Sequence, residues 1–67
     1  MNVFNVIYAL RDSQLISIEN SRESYYVGDV YTFRVMGIKY SCLGRRVISL
    51  DILIIEHGPI LIIKMED

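Results

Sequence analysis

The chain has 67 residues, is 52% hydrophobic, and sets 7 Lys+Arg against 8 Asp+Glu. That apolar content excludes a disordered tail, and the length excludes both a second domain and a deep catalytic cleft. The near-neutral balance excludes the broad basic excess from which nucleic-acid binders draw most of their affinity.

Domains this small usually need a disulfide, a metal or a partner chain for stability. Cys42 is the single cysteine, and together with His57 it offers too few ligands for a closed zinc site. Self-association is the remaining route. Residues 1–67 read as a single small β domain. The amino terminus lacks a basic region, and Asn2 and Asn5 interrupt its apolar run, so no secretory signal is expected. Residues 47–63 include Asp51, Glu56, His57, Gly58 and Pro59 and do not fit a membrane helix. The expected location is the cytoplasm, where a lone thiol stays reduced.

In chain order, residues 3–10 fit either period. Val3, Val6, Ile7 and Leu10 make a helical stripe, but the Val, Phe, Ile and Tyr content favours a strand. A turn at residues 11–14 leads into a strand over Leu15–Glu19, and residues 20–23 form the next turn. Residues 25–27 make a short strand ended by Gly28 and Asp29. Over Val30–Met36 the pattern alternates, with Tyr31, Phe33 and Val35 on one face, which predicts a further strand. Residues 39–43 read as another. The clearest element is a hairpin, with arms at Val47–Ile55 and residues 60–64 around the connection Glu56, His57, Gly58, Pro59.

Both faces of that hairpin are largely apolar, unlike a sheet with one wet side. A second protomer is therefore expected against it, with Leu53, Ile55, Leu61 and Ile63 at the interface. The fold class is all-β: a sheet or barrel of five or six strands, completed by homodimerisation.

Candidate chemistry is sparse. A Cys42–His57 pair lacks an orienting third group, and a strand cysteine ordinarily serves as a small buried hydrophobe. Asp51 is a carboxylate within an aliphatic strand, but no second acid or base is nominated beside it; an exposed edge or an ion pair with Arg45, Arg46 or a partner chain accounts for it. No phosphate loop, zinc spacing or nucleophile elbow is present. The chain reads as a non-enzyme without cofactor, metal or small-molecule substrate. Tyr25, Tyr26, Tyr31, Phe33 and Tyr40 gather near Arg34, Lys39, Arg45 and Arg46, a composition suited either to a base-stacking platform or to an ordinary core.

Leu15-Ile16, Glu23-Ser24, Val27-Gly28-Asp29, Thr32, Val35 and Met36-Gly37-Ile38-Lys39 follow one another in the order of a known pattern, and Ile60-Leu61-Ile62-Ile63-Lys64 with Glu66 resembles its last strand. Over residues 15–39 and 60–66 the chain resembles the carbon storage regulator (CsrA/RsmA) family of translational regulators. The resemblance implies an intertwined homodimer of five-stranded protomers that binds GGA-containing messenger RNA loops. Lys64 falls on the family's basic position in the last strand, and Arg34, Lys39, Arg45 and Arg46 are further candidate RNA contacts. In place of the family's Thr and two basic residues, the first strand carries Ile18, Glu19 and Asn20. The alternative is a protein-docking adaptor or inhibitor, of the kind mobile elements encode, working through a strand edge or the aromatic patch.

Overall fold

Strand-forming segments from the two halves of the chain meet in a central parallel pair. The computed structural model describes residues 1–36 and 40–67. Strands β1 (Leu15–Glu19), β2 (Ser24–Asp29), β3 (Val47–Ile55) and β4 (Gly58–Met65) form one mixed sheet in the order β2-β1-β4-β3. β1 runs parallel to β4, from Leu15 opposite Ile60 to Glu19 opposite Lys64; the outer pairs, β1–β2 and β3–β4, are antiparallel. Helices α1 (Val3–Ala9) and α2 (Val30–Met36) and a 3-10 turn at Tyr40–Cys42 complete the described elements.

The architecture is mainly β with helices, and the sheet is open, not closed into a barrel. Four strands are present among the described residues where five or six were expected. Three of the segments read as strands are not strands. Residues 3–10 are helical over Val3–Ala9 because the ends are well capped. Asn2 Oδ1 accepts from the Asn5 N–H at 2.9 Å, and Asn5 Oδ1 accepts from the Asn2 N–H at 3.0 Å, a reciprocal capping box. The Val3 and Phe4 amides donate to the Arg45 and Leu43 carbonyls.

The alternating segment Val30–Met36 is likewise a helix. Asp29 Oδ1 accepts from the Thr32 N–H at 2.9 Å and caps it, while Val30 and Phe33, three residues apart, fall on one buried face. Of the expected strand at residues 39–43, Tyr40–Cys42 forms a 3-10 turn, and Lys39 lies outside the described residues.

Both helices lie over one face of the sheet. The core consists of Val3, Val6 and Ile7 from α1, Val30 and Phe33 from α2, Cys42, and Ile16, Ile18, Ile63 and Met65 from the sheet. Facing residues in both parallel and antiparallel registers share a side, so Ile18, Ile63 and Leu50 point toward the helices. The opposite side, with Leu15, Ser17, Ile60, Ile62, Leu53 and Asp51, contains no fully buried residue.

The hairpin turn is tighter than expected. Only Glu56 and His57 form it, because Gly58, at φ 113°, already pairs with Ile55. This register corrects the expected dimer interface. Leu53 pairs with Ile60 and Leu61 with Ile52, so Leu53 and Ile55 lie on one face while Leu61 and Ile63 lie on the other. Ile63 is fully buried beneath the chain's own helices, Leu61 packs against that core, Ile55 is half-buried and Leu53 is exposed.

Candidate docking surface on the outer strand

β3 is the edge of the sheet beyond β4; the N-terminal residues pair with its start, through the Asn2–Arg46 bridge and the Val47 N–H donating to the Met1 carbonyl at 3.0 Å, and beyond that its outer side is open. Along its length Ile48 is 65% exposed, Leu50 41%, Ile52 68%, Leu53 51% and Ile54 73%. Leu50, Ile52 and Ile54 belong to the face that elsewhere carries the core, but above them the helical layer stops, while Ile48 sits in a register shift and borders the groove of Lys64. A groove of about 220 Å³ runs there between Leu10 and Gln14 on one side and Ile52, Pro59 and Leu61 on the other. Gln14 stiffens its wall, with Nε2 donating to the Leu15 carbonyl at 2.9 Å and the Pro59 carbonyl at 3.1 Å. Large contiguous apolar exposure of this kind marks an interaction site, and a long flat apolar edge strand is a template for added strands.

The candidate RNA contacts do not converge. Arg34 ties the helices together: Nη2 donates to the Ile7 carbonyl at 2.8 Å and the Leu10 carbonyl at 3.2 Å, at the carbonyl end of α1, and Nη1 pairs with Asp12 at 2.5 Å. Arg45 donates to the Tyr25 hydroxyl at 3.1 Å and lies 5.4 Å from that ring's centre. Arg46 is exposed where β3 begins, its N–H donating to Glu66 Oε1 at 3.2 Å.

Lys64 is exposed in an open groove of about 500 Å³ that it shares with Glu19, Glu66 and Asp67. That end of the sheet thus mixes cations with anions. Two hydrogen bonds from Ser21, through its hydroxyl and its N–H, hold the Asp67 carboxyl below its ordinary value, with Arg22 and Arg45 adding to the effect.

The aromatic residues divide in the same way. Tyr26 and Phe33 pack at 5.1 Å within the helical half, Tyr25 belongs with Arg45, and Tyr31 is exposed on α2. The side chain of Tyr40 lies outside the described residues. Burial pushes the Tyr26 phenol up, the Asp29 carboxylate adds to this, and its hydroxyl donates to the Asp29 carbonyl at 2.7 Å. Reading residues 3–10 as a strand concealed a further pair, Phe4 and Tyr8, one helical turn apart and exposed with ring centres at 5.7 Å. The capping spacing Asn2 to Asn5 was the signal that could have found it.

Cys42 is buried in the core, whereas His57 is exposed at the hairpin turn, so the two are not brought together. Asp51 is exposed on β3 opposite Ile62. Among the described residues no cluster of His, Cys, Asp and Glu could hold a metal ion, and no helix is long and apolar enough to cross a membrane. Comparison with protein-family models, curated proteins and solved structures returns no match.

Proposed function

We propose that this chain is a non-enzymatic protein-docking module that works by strand addition along β3. One observation carries the reading: a nine-residue edge strand whose apolar side chains stand open on both faces. A strand laid along β3 beyond Val47, whose N–H already donates to the Met1 carbonyl, would satisfy the outward amides and carbonyls there and become the fifth strand of the sheet. The tying of the Arg34 and Arg45 side chains to intramolecular partners, with Glu19, Glu66 and Asp67 around Lys64, supports a protein target over RNA.

Affinity capture with and without ribonuclease tests the choice, using Ile54→Lys and the double variant Arg46→Glu/Lys64→Glu. The expected result is a protein partner that survives nuclease, is lost with Ile54→Lys and is kept with the charge reversal. Capture of RNA that the charge reversal abolishes and Ile54→Lys leaves intact would transfer the function to the RNA-regulator reading.

A further inference from the structure

We propose that the groove beside β3 and a cleft at the hairpin turn act as one site, and that its ligand is the C-terminal residue of a partner peptide, an aliphatic side chain carried next to a free carboxylate. The proposal extends the docking reading, because the groove borders β3, but its test does not require strand addition.

The first observation is continuity. The apolar groove of about 220 Å³ is lined by Leu10, Gln14, Ile52, Pro59 and Leu61. A cleft of about 210 Å³ is lined by Arg11, Ser13, Gln14, Leu15, His57 and Pro59. Gln14 and Pro59 belong to both, so an apolar and a polar space meet across a shared wall. Each is smaller than the ~300–1,000 Å³ of a pocket for a drug-sized ligand. The apolar half suits one branched side chain, not a folded element.

The second is unmet hydrogen-bonding capacity. Arg11 and His57 are exposed, and among the described residues neither side chain has a hydrogen-bond or ion-pair partner. Arg34 takes the neighbouring Asp12, and Glu56, next to His57 in the chain, pairs with neither side chain. The Arg11 guanidinium can hold a carboxylate through two parallel N–H donors, and the His57 imidazole and Ser13 hydroxyl add donors to the same cleft.

The third is Gln14. Its Nε2 donates to the Leu15 and Pro59 carbonyls, which uses both amide protons. Oε1 is left as an acceptor where the two spaces meet. The end of a peptide offers the matching set within one residue: a side chain for the groove, an N–H for Gln14 Oε1 and a carboxylate for Arg11. An uncharged apolar ligand would leave Arg11 and His57 idle, and a simple anion would leave the groove wet.

Amide NMR titration with the peptide acetyl-Gly-Ser-Gly-Leu tests the site. The expected result is saturable shifts of the Gln14 side-chain amide and of the Leu61 and His57 backbone amides. Binding should weaken at least about tenfold when the peptide's carboxylate is amidated or its last residue is replaced by Ser. Arg11→Ala, a change at an exposed turn residue, should keep the wild-type far-ultraviolet spectrum and bind acid and amide alike. Ile54→Lys lies outside both spaces and should bind the peptide as the wild type does.

Equal affinity of the wild type for acid and amide overturns the proposal, and so does a preference for the acid that persists in Arg11→Ala. Equally tight binding of 4-methylpentanoate, which has the chain and the carboxylate but no amide, overturns the peptide as ligand in favour of a free acid. If the peptide causes no shifts while Ile54-dependent protein capture persists, the docking reading stands and the carboxylate site falls. If the peptide binds and no such capture is found, the site stands and strand addition falls.

Discussion

The two edges of this sheet are built from similar material and treated in opposite ways. β2 is six residues long, shifted in register between Tyr26 and Ser24, carries Gly28 at φ 156° and is followed at once by α2, which folds back over it. β3 is nine residues long, shifted in register once at Ile48 and paired at its start by Met1 and Asn2, but from Ser49 onward it is regular and uncovered. Apolar sequence alone therefore does not mark an interaction strand; what marks it is a regular stretch, here from Ser49 onward, that nothing in the chain covers. The helices protect β2, β1 and β4, and the exposed apolar surface of the sheet is concentrated on the remaining strand.

Matched substitutions offer the sharpest test of that contrast. Phe33 is fully buried under α2 against Tyr26, so Phe33→Ala should cost about 3–5 kcal/mol in chemical denaturation. Ile52→Ala on the open edge should change the stability of dilute protein by no more than ~0.5 kcal/mol. Equal losses at the two sites would show that β3 is covered and break the comparison.

A smaller effect is expected at Gly28 of β2. A Cβ on Gly28 would lie 2.7 Å from the Tyr26 hydroxyl, which is itself held by the Asp29 carbonyl, and the backbone is at φ 156°. Gly28→Ala should therefore lower stability by ~1–3 kcal/mol. Gly44→Ala, with open space around its Cβ, serves as the neutral control for the same thermal melts.

The smallest effect is a pH dependence on the protected side. Hydrogen bonds from the Thr32 hydroxyl and N–H hold the Asp29 carboxyl below its ordinary 3.8. Since the folded value is the lower one, this stabilisation is complete above pH 3.8 and disappears as the pH falls through the folded value. Unfolding midpoints measured between pH 5 and pH 2 should decline less steeply for Asp29→Asn than for the wild type.

Much of the sheet was legible from residue order. β1 and β3 have the expected bounds, since a strand between turn clusters and a long aliphatic run need only local pattern. The helices were not legible by the same rule. Val30–Met36 satisfies an alternating pattern and a helical one at once, and the decision falls to a cap at Asp29 and to Phe33 packing on Tyr26, which lies seven residues away in sequence. At residues 3–10 β-branched propensity pointed to a strand, but Asn2 and Asn5 cap each other and hold a helix.

The apolar excess of the hairpin could be read from sequence. Which face lay under helices could not, because that depends on a two-residue turn and on helices contributed from elsewhere in the chain. Nor did sequence show that Arg34 would be consumed at the carbonyl end of α1, a contact spanning 27 residues.

The parallel pairing of β1 with β4 has a consequence for the order of folding. Leu15 must find Ile60 across 45 residues, whereas the β3–β4 ribbon closes over a two-residue turn. Closing the long loop is entropically dearer and slower than closing the short one. The ribbon should thus form early and wait with its isoleucines wetted until β1 docks, so the yield of refolding should fall with rising protein concentration.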